Sequence, residues 1–229
     1  MSSGNLVIDP TFLAPQDWCN GASSWPAGVS VENSEIVVIA IGALSLQFYP
    51  PTGSEIVVGA GQIAAGNTLA FSGYMYPTTA LGGGSPYFGL LDHSGTLLAS
   101  AIPLGPSHPN PGLASGTYTV AAGVVSIRPV FSLSGVTFVE ADPGRAGWAA
   151  SHPYALNAQV DPSNGYLYQA IVAGTSGGSA PTWPTPSGWS PGSSNPIPLT
   201  VVADGSVVWS CVAWQGSIMT LGSPVIEVQ

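Results

Sequence analysis

Short apolar runs, each cut off after a few residues by glycine, proline, asparagine or aspartate, leave this chain little but sheet to fold into. Strands are expected over residues 36–41, 44–49, 55–58, 68–76, 87–91, 96–102, 116–121, 124–131 and 136–140. The links include Pro50-Pro51-Thr52-Gly53, Ala65-Gly66-Asn67, Gly82-Gly83-Gly84, Asp92-His93-Ser94-Gly95, Ala122-Gly123 and Ser134-Gly135. These residue types reach positive φ, fix φ, or bond their own backbone, so each marks a turn. No window of useful length carries the 3.6-residue period of a helix. Residues 29–34 read equally as strand or as irregular chain. Many short strands with turns between them point to a sandwich or a jelly roll.

Alternation assigns faces within some runs. Leu44-Ser45-Leu46-Gln47-Phe48 buries one side and wets the other. Leu69, Phe71, Gly73 and Met75 alternate with Ser72, Tyr74 and Tyr76. Pro129 interrupts 124–131 and has no N–H for a ladder, so that run is expected at an edge or a bulge.

Composition narrows what such a protein does. The chain has 229 residues, room for one large all-β domain or two small ones. Its hydrophobic share of 45% supports a packed core, although 30 glycines and 22 prolines bring it near the composition of disordered chains. Only 6% of residues are charged, against a usual share of about 25%. There is no lysine, the only arginines are Arg128 and Arg145, and the net charge is −9. Such a surface has no electrostatic means of binding nucleic acid or an anionic membrane. The apolar run at 36–41 is too short to span a bilayer, so membrane insertion is not expected. Met1-Ser2-Ser3-Gly4 opens without a basic start or an apolar run, which points to synthesis and assembly in a cytoplasm. A reducing cytoplasm favours free thiols at Cys19 and Cys211, and a bridge between them needs the chain ends to meet.

A boundary is expected in the small, turn-rich stretch 141–147. This gives a β-sandwich over 1–143, a small β module over 144–217, and a strand or tail over 218–229. That last piece either returns to the first domain or adds to a neighbouring subunit's sheet edge.

The densest patterning lies at 166–214. Tyr166, Tyr168 and Ala170 alternate with Leu167 and Gln169. The glycines at 174, 177 and 178 turn the chain, and Trp183 before Pro184 is biased toward extended backbone. Asp204-Gly205 between Val201-Val202 and Val207-Val208 signals a hairpin. Together the pieces read Tyr166-x-Tyr168, Ala173-Gly174-Thr175-Ser176-Gly177, Ala180-Pro181-x-Trp183-Pro184 and Asp204-Gly205-x-Val207-x-Trp209. Trp148, Val160-Asp161-Pro162 and Gly165 stand upstream of them. The set resembles a small module that recurs in tail-fibre and other surface proteins of tailed bacteriophages. It departs from that module in the long, proline-rich insert at 187–199. The resemblance implies a virion surface component, with glycan contact in some members, and implies no reaction.

The domain over 1–143 is similar to the jelly-roll carbohydrate-binding modules. The likeness rests on residues 5–12, the early Trp18, Ile127-Arg128-Pro129 and the run 134–140. These modules stack sugars on concave-face aromatics, which implies Tyr74, Tyr76, Tyr87 and Arg128 as glycan contacts. The alternative is that the same side chains pack at a subunit interface. Trp189, in the insert, is expected as an exposed contact, and Trp183 and Trp209 as core.

Reactive groupings are sparse. Glu140 with Asp142, and Glu32 with Glu35, are pairs that 11 acids produce by chance, so no catalysis is expected. His93, His108 and His152 are isolated, and no His-x-x-x-His or Cys-x-x-Cys spacing suits zinc. No nucleophile elbow with a triad and no phosphate-cradling loop is found. No cofactor is expected; calcium held by Asp9, Glu140 or Asp142 is the alternative weighed against that. The expectation is a non-enzymatic structural protein on the exterior of a bacteriophage virion, a head decoration or tail-fibre component. It would act in assembly, stabilisation or host adhesion, beside other virion proteins and as an oligomer, a trimer by analogy. Recognition of host-surface glycan is the alternative.

Overall fold

The computed structural model describes residues 5–7, 12, 18–19, 25–26, 29–40, 42–51, 53–59, 61–77, 81–103, 112–139, 145–189 and 196–229. Among these there is no helix, and so none long and apolar enough to cross a membrane. In chain order the strands are β1 (Val29–Glu32), β2 (Glu35–Ala40), β3 (Gly42–Leu44), β4 (Gln47–Phe48), β5 (Ile56–Val57), β6 (Thr68–Pro77), β7 (Leu81–Gly83), β8 (Tyr87–Asp92), β9 (Leu97–Ala101), β10 (Gly112–Thr119), β11 (Ser126–Ser132) and β12 (Val136–Phe138). They continue with β13 (Pro153–Tyr154), β14 (Gln159–Val160), β15 (Tyr166–Val172), β16 (Gly174–Thr175), β17 (Val201–Asp204), β18 (Val207–Trp214) and β19 (Ser217–Val228). The chain divides into two compact units, Met1–Phe138 with Ile218–Gln229, and Val139–Ser217.

The first unit is a β-sandwich. One sheet runs β1-β2-β19-β6-β10 and the other β4-β11-β8-β9, with β5 also on β11. Followed along the chain, β2, β4, β6, β8, β9, β10, β11 and β19 pass back and forth between the two sheets, which is the interleaving of an eight-stranded jelly roll. A small third sheet joins β3, β12 and β7. The alternation in β6 holds residue by residue: Leu69, Phe71, Gly73 and Met75 point inward. Their partners come from the opposite sheet, with Phe71 and Phe88 rings 6.2 Å apart and Phe88 and Phe131 4.7 Å apart. Each such ring contributes roughly 1.5–3 kcal/mol by leaving water. Gly73 is required by this closeness, since a Cβ there would stand 2.8 Å from the Phe131 ring.

Several expectations change here. The run 44–49 is two strands, because Leu44 pairs with β12 while Gln47-Phe48 pairs with β11. Residues 81–83 are strand β7 rather than part of a plain link. Residues 29–34 open a β1–β2 hairpin closed by Asn33 and Ser34 at φ 52° and 64°, the two positive values of a type I′ turn. Pro129 is not on an edge strand, for β11 is flanked by β8 on one side and by β4 and β5 on the other. However, β4 pairs only with Phe131 and Ser132, and β5 only with Ser126 and Ile127. The gap between them spares Arg128, Pro129 and Val130 a ladder on that flank, as an edge would.

The segment 218–229 returns. As β19 it lies between β2 and β6, with Met219, Leu221 and Ile226 fully buried. The sandwich is therefore incomplete at residue 143, and the second unit is an insertion before its last strand. Asn5 fastens the start of the chain to that strand: its Nδ2 donates to Pro224 O at 2.9 Å and its Oδ1 accepts from Ile226 N at 3.0 Å.

The second unit has a four-stranded sheet, β14-β15-β18-β17, and the pair β13-β16. Its core is Val160, Tyr168, Ala170, Val207, Trp209 and Cys211. Leu167 and Tyr168 are both buried, against the expected alternation; the register shifts between them, where β18 carries the extra residue Val212. Cys19 and Cys211 are free thiols, and burial pushes each up to about 11.

Candidate functional site

The outward side of the β19-β6-β10 strip is built in cross-strand rows. Leu113, Tyr74 and Gly222 form one row, Ser115, Ser72 and Val225 the next, and Thr117, Ala70 and Glu227 a third. Tyr76 stands opposite Thr220. Two depressions follow this strip. The first, of about 510 Å³, is lined by Glu35, Tyr74, Tyr76, Thr220, Gly222 and Ser223. The second, of about 370 Å³, runs along Ser72, Ser115, Thr117 and Glu227.

Local sequence shapes the first depression. Tyr74 is 43% exposed because its neighbours Gly73 and Met75 take the inward positions. Ser223, at φ 51°, is the extra residue of a bulge in β19, where Gly222 faces Tyr74 but Val225 already faces Ser72. Pro224 follows in the same bulge, the place in a central strand that tolerates a missing N–H. Gly222 puts no side chain opposite Tyr74; a Cβ there would stand 3.1 Å from Glu35 Cγ. Such a site offers one open aromatic face, several hydroxyls that both give and accept hydrogen bonds, and a carboxylate.

Of the glycan contacts implied by resemblance, only Tyr74 and Tyr76 meet on this face. Tyr87 starts β8, in the other sheet. Arg128 is 5% exposed and cannot meet a ligand. Its guanidinium donates to Pro50 O, Asp92 O and His93 O at 3.3–3.5 Å and lies over the Tyr49 ring. It thereby pins the β8–β9 turn, whose Asp92 carboxylate accepts from Ser94 Oγ, Ser94 N and Thr96 N. Those bonds, Ser94 Oγ first, hold the Asp92 carboxyl below its usual range. Trp189 is half-buried in the second unit. Asp9, Glu140 and Asp142, the calcium candidates, and His108 lie outside the described residues. Among the described residues no group of three His, Cys, Asp or Glu side chains could hold a metal. The β1–β2 turn does set Glu32 opposite Glu35 in register.

Sequence reasoning missed Glu35, Leu113, Ser115, Thr117, Thr220, Ser223, Val225 and Glu227. Finding them takes the sheet order, which sets β10 on one side of β6 and β19, followed by β2, on the other.

The motif of the second unit serves its own fold. Asp204, 5% exposed, accepts at Oδ2 from Trp148 Nε1 (2.7 Å) and Trp209 Nε1 (3.1 Å), and at Oδ1 from Gly177 N (2.7 Å). The tight turn is Gly205-Ser206, with Gly205 at φ 62° as a type II′ turn requires, and Asp204 is the pairing residue before it. Thr175 N donates to Ser206 Oγ and Ser206 N to Thr175 O. A Cβ on Gly174 would strike the Ser206 carbonyl, and one on Gly205 the Thr175 carbonyl. These glycines are thus set by two backbones crossing, and Gly174-Thr175 is strand β16 rather than a turn. Tyr168 donates to Pro184 O at 2.8 Å and its ring lies 4.6 Å from Trp183, which in turn lies 5.9 Å from the fully buried Trp209. Burial raises the Tyr168 hydroxyl pKa.

No known family model matches the sequence, and no curated protein matches it. A solved structure described as "CBM4 structure and function" is loosely similar, at 12% identity and a TM-score of 0.36, over 54% of this chain and 85% of that one. A likeness that loose says nothing of the site.

Proposed function

We propose that this chain is a non-catalytic glycan-binding protein, which takes a sugar chain along the outward side of β19, β6 and β10. The observation that carries the reading is the exposed Tyr74 ring, left open by Gly222 and set in a depression of about 510 Å³ among hydroxyls. A pyranose presents C–H groups on its face and hydroxyls at its rim. Tyrosine offers a matching π surface, and Ser72, Ser115, Thr117, Thr220 and Ser223 match the rim. Binding in the micromolar-to-millimolar range is expected on a broad glycan array, weakened at least tenfold by Tyr74→Ala. A blank array sinks this reading.

The setting we propose is the exterior of a bacteriophage particle, beside other virion proteins and in oligomeric form. It is supported by the second unit's Tyr-x-Tyr, Gly-rich, Trp-Pro and Asp-Gly pattern, the part of the sequence that resembles phage surface modules. Assembly or stabilisation of the particle would then accompany adhesion. Imaging of purified virions would locate the protein, and its copy number would separate a head ornament from a tail appendage. Its absence from the particles would refute the setting and leave glycan binding untouched.

A further inference from the structure

The proposed glycan face carries charge of one sign only. Glu35 lines the first depression and Glu227 the second, and among the described residues no cationic side chain lines either. The chain has few cations to offer: no lysine, a buried Arg128, and an Arg145 that donates to Gln159 in the second unit.

The two carboxylates are placed, not scattered. Glu35 follows the two-residue Asn33-Ser34 turn directly, so its backbone is fixed at the start of β2. Its stem lies against Gly222, which pairs with Tyr74. A sugar stacked on Tyr74 therefore has the Glu35 carboxylate at its side. Glu227 pairs with Ala70, four residues along β6 from Tyr74. At a strand rise of about 3.3 Å per residue that is roughly 13 Å, longer than one pyranose ring. The second carboxylate thus meets a later sugar of the same chain.

We infer that this face selects glycans bearing free amino groups, of the glucosamine-oligomer class, over their N-acetylated counterparts and over chains of uronic or sialic acids. The inference rests on the glycan-binding reading above and specifies its substrate. A protonated amine at the ring edge makes a charge-assisted hydrogen bond to Glu35 or Glu227, stronger than a neutral hydroxyl or amide makes. An acidic sugar meets two carboxylates on the face and a net charge of −9 around it.

Calorimetric titration of the full chain tests this at low salt and about pH 6, where the sugar amines are protonated. The ligands are a glucosamine tetramer, its fully N-acetylated form, a uronic-acid tetramer and tetralysine. The glucosamine tetramer should bind tightest and the uronic-acid tetramer not at all. Glu35→Gln and Glu227→Gln should each weaken the glucosamine tetramer by about fivefold, the upper end for an exposed ion pair, and leave the N-acetylated form unchanged. Tyr74→Ala should weaken both sugars. Should the N-acetylated tetramer bind as tightly, with Glu35→Gln silent, the amine selection is overturned while glycan binding stands. Should tetralysine bind as well as the glucosamine tetramer, and indifferently to Tyr74→Ala, mere attraction to an acidic protein is at work and the inference is overturned. If no sugar binds, the inference falls together with the glycan reading.

Discussion

The two units are held together by different means. The sandwich relies on rings and aliphatic chains between two sheets, Phe71, Phe88 and Phe131 at its middle, and leaves a polar outer face open. The inserted unit folds around a buried carboxylate: Asp204 gathers two indole N–H groups and a backbone N–H, and Tyr154 and Trp183 pack edge-on or tilted against the Trp209 ring. The contrast separates motif from site. The recognisable pattern at 166–209 is spent on its own architecture, whereas the open face belongs to the other unit, at residues outside the stretches that carry that unit's likeness. Apolar packing tolerates varied sequences of similar volume, while a carboxylate bonded to Trp148, Gly177 and Trp209 demands particular residues at particular spacings.

The largest effect should come from removing 218–229. The sandwich then loses a central strand and the buried Met219, Leu221 and Ile226. Loss of each such side chain costs roughly 2–5 kcal/mol, so the sum reaches the whole stability of about 5–15 kcal/mol of an ordinary domain. The truncated chain should show no cooperative transition for the sandwich in calorimetry. A transition unaltered by the truncation would mean that β19 is an ornament and that the first unit closes without it.

Next in size is Asp204→Ala. It strands donors from Trp148, Trp209 and Gly177, and each one left buried without an acceptor costs about 1–3 kcal/mol. The second unit should lose roughly 3 kcal/mol in denaturant titration, with glycan affinity unchanged. A loss below about 0.5 kcal/mol, the range of ordinary surface substitutions, would show that the aromatic cluster alone holds the unit. Gly205→Ala should cost less, about 1–3 kcal/mol for a side chain forced into positive φ against the Thr175 carbonyl. A neutral outcome would break the claim that backbone crossing sets the glycines.

How far the sequence could be read follows the same division. The inward face of β6 and the Asp204-Gly205 hairpin were legible, because period and turn chemistry are local. The placement of β19 was not: the second unit intervenes between it and the rest of the sandwich, and nothing within 218–229 says which strand it will join. Tyr74 and Tyr76 were legible as outward aromatics of a strand, yet Glu35, Leu113 and Glu227 share their face only through sheet order. Arg128 entered through the likeness to carbohydrate-binding modules, which carries no information on its burial. Here three backbone carbonyls take up its guanidinium inside the fold.

The smallest effect on stability should be that of Tyr74→Ala, and it bears hardest on the comparison. The ring is 43% exposed, and its inward neighbours Gly73 and Met75 carry the packing of that part of β6. Its removal should therefore move the unfolding midpoint by no more than surface substitutions do, about 0.5 kcal/mol. If the open face is a binding surface, the same change should abolish most of the measurable glycan affinity. Tyr118→Ala serves as a control on β10, since that ring packs against the sandwich core and its loss should cost stability more than binding. A reversed pattern, with Tyr74→Ala unfolding the sandwich, would place the ring among the structural aromatics. In that respect the first unit would then resemble the second, where Tyr168 and Trp209 serve the core.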